Sequence, residues 1–422
     1  MKSRFYVLGT ASLIVLLMWP NLPNLPNHPN QSDQRNLHNQ PNHPNHSSSS
    51  ALINANSAID TETNPIVIGA TMSHTGAYST QGIPANNGYL LCEEDVNRAG
   101  GIFGRDLKFL IYDDESSTST AVRLYEQLIL HDNVDLIMGP YGSTLTEAVA
   151  PVNERYKQVM ISPLAATTSI WEQGRQYLFM VLPPAELFLA GLIDMADANG
   201  FTNVAIIQEN ALFPKAAGSG AIQMARERGM DVVLETTYAS GTTDFSIILD
   251  MIEYREAEVV GMAASSLNNF ITFVEQMHQR GLEIKMFGTS GAVTEFAEAL
   301  GPLAENTFGL SAWEPGLPNP GIDAFTESYR SNYGMEPSFH AAGAYASCQI
   351  FVEAIKRAGS LESDAIRDEL RSLEMQTVLG SYAVDERGYQ IANKGVFIQW
   401  RDGKKVVVWP DDVAASEPII PD

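Results

Sequence analysis

Val134-Asp135-Leu136-Ile137-Met138-Gly139-Pro140-Tyr141-Gly142-Ser143 is the stretch that decides how this chain folds. An apolar run ends at a glycine, and a serine stands four residues further on, where a helix-like segment begins. The pattern returns in Glu258-Val259-Val260-Gly261-Met262-Ala263-Ala264-Ser265, with the same glycine-to-serine offset. Buried strand, hydroxyl, helix, twice over, reads as a duplicated α/β unit. Open parallel sheets bind ligands outside the carboxyl ends of their strands. Two such units with hydroxyls at strand ends therefore predict a cleft that clamps a small molecule.

Working outward, residues 66–70 form an apolar run typical of a buried strand, and 76–82 a polar loop. Residues 86–99 carry helical spacing and stop at Gly100-Gly101, and a second strand covers 107–112. A capping-type turn at 113–118 precedes a helix at 121–130; a helix at 144–156 and a strand at 159–161 follow. The series restarts after Pro183-Pro184, with strands at 203–207, 232–234 and 259–260, and a loop at 209–217. Helices are predicted at 187–198, 245–254 and 269–280, then at 325–333 and 342–357. Two strand-like runs, 395–400 and 405–409, flank Arg401-Asp402-Gly403-Lys404, a hairpin signal. Alternating strands and helices indicate parallel sheets in an α/β fold.

With 422 residues the chain is long enough for two or three cores. Its formal charge of -24, from 26 basic and 50 acidic residues, excludes the basic footprint of a nucleic-acid partner. The same charge disfavours docking of the folded part on anionic lipid. Lys2 and Arg4 precede an uncharged apolar stretch, residues 5–19, which reads as an export signal or an uncleaved anchor. Either way the folded part is expected outside the cytoplasm. Residues 21–63 are rich in Asn, Pro and His and read as an extended spacer; histidines in such a linker are not preorganised for a metal. Cys92 and Cys348, both in helix-like segments, read as two buried thiols, with a disulfide as the alternative.

The order of motifs resembles the type I periplasmic binding proteins, specifically the leucine/isoleucine/valine-binding family of solute receptors. The resemblance spans residues 65–410. It rests on the opening loop Ser73-His74-Thr75-Gly76-Ala77-Tyr78-Ser79-Thr80-Gln81-Gly82, the turn Asn97-Arg98-Ala99-Gly100-Gly101-Ile102, and the strand end Tyr112-Asp113-Asp114. The loops at 139–143 and 162–167 complete it. What the resemblance implies is two doubly wound, Rossmann-like lobes joined by three crossovers. The first lobe would comprise 64–183 plus 316–378 and the second 184–315 plus 379–410, after a targeting segment at 1–20 and the linker at 21–63, with a tail at 411–422.

By the same resemblance, a ligand carboxylate would be held by Ser143 and by Ala165, Ala166 and Thr167; Gln81 is a further candidate contact, and Tyr141 and Tyr78 would stack on a ligand or cover the cleft mouth. A strand-to-helix junction supplies unpaired N–H donors for that purpose. The residues also support a purely structural role, because Ser143 and Thr144 suit helix N-caps. Thr144-Leu145-Thr146-Glu147 and Ser169-Ile170-Trp171-Glu172 both read as capping boxes. From the second lobe, Phe213, Ser265 and Ser290 would face the ligand. Phe213 stands where the family commonly has tyrosine, and Ser290 where leucine-type receptors place the carboxylate that pairs with an α-ammonium. An ammonium buried without a carboxylate is poorly compensated. Amides, ureas and simple carboxylates are therefore open as ligands. Glu209 is a candidate substitute, although a glutamate at a strand end is more often solvated.

No catalytic constellation holds: phosphate-loop, dinucleotide and His-Glu-x-x-His patterns are missing, and Gly288-Thr289-Ser290-Gly291 lacks nucleophile-elbow spacing. Of His74, His131, His278 and His340, only His74 falls in a predicted cleft loop. The expectation is a binder without cofactor or metal: the solute receptor of an ABC-type importer, with its inner-membrane permease as partner. The alternative is a membrane-tethered sensor of the same fold, anchored through residues 5–19.

Overall fold

The computed structural model describes residues 64–420. The targeting segment and the Asn/Pro/His-rich spacer lie outside the described residues. The first unit runs β1 (Ile66–Met72), α1 (Ser79–Arg98), β2 (Leu107–Asp113), α2 (Thr118–Leu130), β3 (Leu136–Met138), α3 (Gly142–Tyr156), β4 (Met160–Ser162) and β5 (Leu178–Met180). The second runs α4 (Ala190–Ala198), β6 (Asn203–Glu209), α5 (Leu212–Glu227), β7 (Asp231–Tyr238), α6 (Ser246–Tyr254) and β8 (Val259–Ala263). It continues through α7 (Leu267–Arg280), β9 (Met286–Thr289), α8 (Thr294–Leu300) and β10 (Phe308–Ser311). The chain then forms α9 (Ile322–Tyr333), α10 (Phe339–Ala358), α11 (Ser363–Ser372), a small ribbon of β11 (Met375–Thr377) and β12 (Gly380–Tyr382), and the hairpin β13 (Val396–Arg401) and β14 (Lys404–Trp409).

The first sheet has the order β2-β1-β3-β4-β5, with every pairing parallel. The second reads β7-β6-β8-β9-β10 from one edge, which is the same order, and then adds β13 and β14 antiparallel. The duplication read from the glycine-to-serine spacing is thus a duplication of topology. The chain passes between the two sheets three times: from β5 to β6, from β10 to the helix pair α9 and α10, and from β12 to β13. These are the three crossovers of the expected fold, two doubly wound lobes of α/β type. The predicted hairpin is present, with Asp402 and Gly403 joining β13 to β14.

Two helix starts differ most from the sequence expectation. Helix α1 begins at Ser79, within the segment read as a loop, because Gly82 and Pro84 mask its start. Gly82 is there for close approach: a Cβ at that position would lie 2.0 Å from the Ser73 carbonyl oxygen. Helix α5 begins at Leu212, so Phe213 sits in a first turn and not in a loop. Pro214 is tolerated there because first-turn N–H groups have no helical acceptor to lose.

The thiol expectation is corrected as well. Cys92 on α1 and Cys348 on α10 form a disulfide, with Cα atoms 6.3 Å apart across a sequence separation of 256 residues. The two helices pack together, and Gly88 permits it: a Cβ there would meet the Ala341 carbonyl oxygen at 2.3 Å. Among the described residues, no helix is long and apolar enough to cross a membrane.

Candidate functional site

In the order 2-1-3-4-5 the direction of winding reverses between the first and third strands, so a crevice opens at their carboxyl ends. Here those points fall between β1 and β3 and between β6 and β8. Ser143 follows β3 and Ser265 follows β8, and both line one cleft. The cleft holds about 790 Å³ of empty space, its open mouth included.

The first lobe contributes Tyr78, Gln81, Tyr141, Ser143, Ala166 and His340 to the wall, and the second contributes Phe213, Ser265, Ser290 and Phe270. No Asp, Glu, Lys or Arg is among the lining residues. Of the expected contacts, seven are thus brought together: Gln81, Tyr141, Ser143, Ala166, Phe213, Ser265 and Ser290. Ala165 and Thr167 do not line the cleft; both are buried behind it.

Ser143 is not an N-cap. Helix α3 starts at Gly142, after Tyr141, which places Ser143 and Thr144 inside the first turn. The Ser143 hydroxyl instead accepts from the backbone N–H groups of Ala166 and Thr167, each at 3.2 Å, and from the Thr167 hydroxyl at 3.0 Å. The donors expected to reach a ligand directly are therefore gathered onto Ser143, which presents them indirectly. Neither capping box forms. Glu147 turns to Arg175 at 2.6 Å, and burial opposed by that guanidinium and by Gln173 leaves its carboxyl below the usual value. Ser169 lies inside the short 3-10 turn Thr168–Ile170.

On the opposite wall, Ser290 is buried and its hydroxyl accepts from the Ala264 N–H at 3.3 Å, tying the ends of β8 and β9. Glu209, expected to be solvated, is only 5% exposed. Its carboxylate accepts from the Ser265 N–H at 2.7 Å and it does not line the cleft. Phe213 meets Phe188 edge-on, with ring centroids 5.0 Å apart.

Aromatic rings form a continuous shelf on the first lobe. Tyr78 and Tyr141 lie 5.4 Å apart, Tyr141 and His340 5.7 Å, and His340 and Phe339 3.9 Å, centroid to centroid. Burial pushes the Tyr141 phenol well above its ordinary range, with Tyr78 adding to the effect. The Tyr78 phenol is raised first by burial and then by Glu209, so both hydroxyls stay protonated at neutral pH. His340 was missed by the sequence reading, which placed only His74 near the cleft; His74 does not line it. Burial, with Lys405 adding to it, lowers the His340 imidazole to about 3. The signal that would have found His340 is tertiary, since α10 reaches the cleft only after the second crossover.

Comparison with known proteins agrees with this geometry. A model of the periplasmic binding protein family matches residues 65–405. A curated relative, Leu/Ile/Val-binding protein homolog 8 of Brucella abortus (strain 2308), is 26% identical over 375 residues, covering 83% of this chain and 92% of its own. The solved structure of LivJ, a branched-chain amino acid transporter substrate-binding protein from Streptococcus pneumoniae in complex with isoleucine, superposes with a TM-score of 0.73 at 23% identity. It covers 85% of this chain and 100% of its own. A solute-binding protein of an ABC transporter from Rhodopseudomonas palustris, in complex with benzoate, gives 0.73 at 18% identity, over 82% and 95%. The chain belongs to the periplasmic binding protein family, in the type I fold that it shares with leucine/isoleucine/valine-binding relatives.

Proposed function

We propose that this protein is the extracytoplasmic solute receptor of an ABC-type importer. It would close its two lobes, 64–183 with 316–378 and 184–315 with 379–410, on a small solute bearing a carboxylate or carboxamide end and an apolar body. The reading is carried by one observation: a cleft at two matching switch points, walled by serines from both lobes and by aromatic rings, with no charged side chain in its lining. A disulfide between Cys92 and Cys348 supports an oxidising compartment.

Ser143, with Ala166 beside it and Thr167 behind, would receive the carboxylate or carboxamide; Gln81 and Tyr141 would flank it, and Phe213, Ser265 and Ser290 would close over the body. An α-ammonium would meet no carboxylate in this wall. Ser290 occupies the place where the resemblance expects one, and Glu209 faces the Ser265 N–H instead. That argues for a solute without the ammonium, like the benzoate held by the Rhodopseudomonas protein and unlike the isoleucine held by LivJ.

The test is a thermal-shift panel on the purified protein, with amino acids, short amides, urea, and aliphatic and aromatic carboxylates. A ligand at about 100 times its Kd adds roughly 2.7 kcal/mol, a readily measured rise in Tm. Shifts with carboxylates or amides alone support the reading. A strong shift with leucine or valine overturns the exclusion of the ammonium, and silence across the panel overturns the receptor assignment.

A further inference from the structure

We infer that the outward face of α6 is a docking surface for a second copy of this chain, so that the protein forms a twofold dimer through antiparallel α6 helices. The inference goes beyond the receptor reading and does not depend on it, because no residue of α6 lines the cleft.

Helix α6 is apolar on almost every side. Leu249 and Ile252 are buried in the second lobe's core, and Ile248 packs against its margin. Turned the other way are Ile247, 74% exposed, Met251, 36%, and Tyr254, 82%. Their spacing, i, i+4 and i+7, sets them in one stripe along the whole helix. A surface helix normally carries polar residues on that side, whereas a helix apolar all round is covered on both sides. Exposed apolar residues scattered singly are ordinary, but a contiguous stripe marks an interaction site.

The charges at the two ends of the stripe say what covers it. Asp250 and Glu253, on one flank, are both paired with Arg280. Asp244, just before the helix, and Arg255, just after it, have no ion pair among the described residues. Asp244 accepts from the Ser246 N–H at 3.0 Å, and Arg255 lies over the Tyr254 ring, 5.9 Å from its centroid. Glu256 stands beyond the helix, where the backbone turns left-handed. A stripe with an acid at one end and a base at the other is complementary to itself run backwards. Antiparallel pairing sets each Arg255 beside the other copy's Asp244. It also brings Met251 near the axis, and Ile247 of each copy onto Tyr254 of the other. The two helix dipoles then oppose each other. Parallel pairing would bring like charges together at both ends. Self-complementarity of this kind is what a twofold contact requires.

The net charge of -24 opposes association, but at about 0.15 M salt the Debye length is about 8 Å, so charges at the contact dominate. One short helix per copy makes a contact at the low end of specific interfaces, so the expected Kd is about 10–100 µM.

Sedimentation velocity of the whole protein, from about 5 to 500 µM at about 0.15 M salt, reads this equilibrium. The parent should pass from monomer to dimer across the range. Ile247→Asp and Tyr254→Ser change exposed side chains and should each raise Kd at least about tenfold. Arg255→Glu should also raise it by setting acid against acid, and adding Asp244→Lys should return it to within about threefold of the parent. Circular dichroism checks that each variant is folded, and either stripe variant serves if the other is not. A parent that stays monomeric at every concentration overturns the inference, as does a dimer that neither stripe variant weakens. An Arg255→Glu protein that dimerises as tightly as the parent, or one that Asp244→Lys fails to rescue, rules out the antiparallel pairing and overturns it too.

Discussion

The two lobes share a strand order and a serine offset, yet they wire their serines in opposite ways. In the first lobe the side chain is engaged: the Ser143 hydroxyl collects the N–H groups of Ala166 and Thr167. In the second the backbone is engaged: the Ser265 N–H goes to Glu209, and the Ser265 hydroxyl has no partner among the described residues. Topology repeats because a doubly wound sheet has few ways to connect. Local wiring diverges because each loop needs only to satisfy its own buried groups. The first lobe is also the stapled one, with its disulfide between α1 and α10, and it alone brings titratable side chains to the cleft.

The staple gives the largest expected effect. Removing the disulfide with Cys92→Ala and Cys348→Ala together should cost about 2–5 kcal/mol of stability, as for other native disulfides. The loss should be local. Hydrogen exchange should show α1 and α10 deprotected, while β6 and β8 of the second lobe keep their protection. Uniform deprotection of both lobes would mean that they unfold as one cooperative unit, and the contrast between them would then be one of wiring alone.

The paired serines sharpen the contrast at a smaller scale. Ser143→Ala leaves two buried N–H groups without their acceptor and should destabilise the protein by about 1–3 kcal/mol, besides weakening binding. Ser265→Ala removes a hydroxyl with no protein partner, so stability should change by no more than about 0.5 kcal/mol. Binding of a carboxylate ligand should suffer in both. Urea denaturation and calorimetry of the two variants separate the quantities. Equal destabilisation would show that the opposite wiring carries no energetic difference.

How much of this was legible in the sequence depends on how local the cause is. The glycine-to-serine spacing in 139–143 and 261–265 encodes two strand-to-helix junctions, and the Asp402-Gly403 step encodes a hairpin; each is decided within a few residues. Helix starts were hidden where a residue answers to a distant neighbour, as Gly82 does to the Ser73 carbonyl. The disulfide was hidden for the same reason, since nothing near Cys92 announces a partner 256 residues away. Seven of the nine candidate contacts meet in the cleft because they follow strand ends, which the fold class fixes. His340 follows no strand. It enters the wall from α10, and only the crossovers bring it there. The role of Ser143 as a gatherer of N–H donors was equally out of reach, because a serine at a helix start reads the same whichever groups it bonds.

The smallest expected effect separates the two walls by pH. In the second lobe's wall, Phe213, Ser265, Phe270 and Ser290 do not titrate between pH 5 and 7; in the first, His340 is the group that matters. Its folded value is lowered to about 3 by burial and then by Lys405, and the ring of Tyr141, whose phenol is protonated, packs against it. The unfolded chain should titrate this histidine near its ordinary value of about 6.5. Above that pH both states are neutral and His340 contributes nothing to the pH dependence. As pH falls below about 6.5 the unfolded chain takes up a proton that the folded protein refuses, so stability drops by roughly 1 kcal/mol per pH unit until the folded value is reached. Carboxylates begin to add their own effects below about pH 5, which leaves the interval from about 6.5 to 5 as the clean window. Within it, His340→Phe should flatten the stability profile relative to the parent, measured by urea denaturation at matched ionic strength. The other histidines are common to both proteins and cancel in the difference. Parallel profiles would show that His340 titrates alike folded and unfolded, and that the first lobe's wall is no more acid-sensitive than the second's.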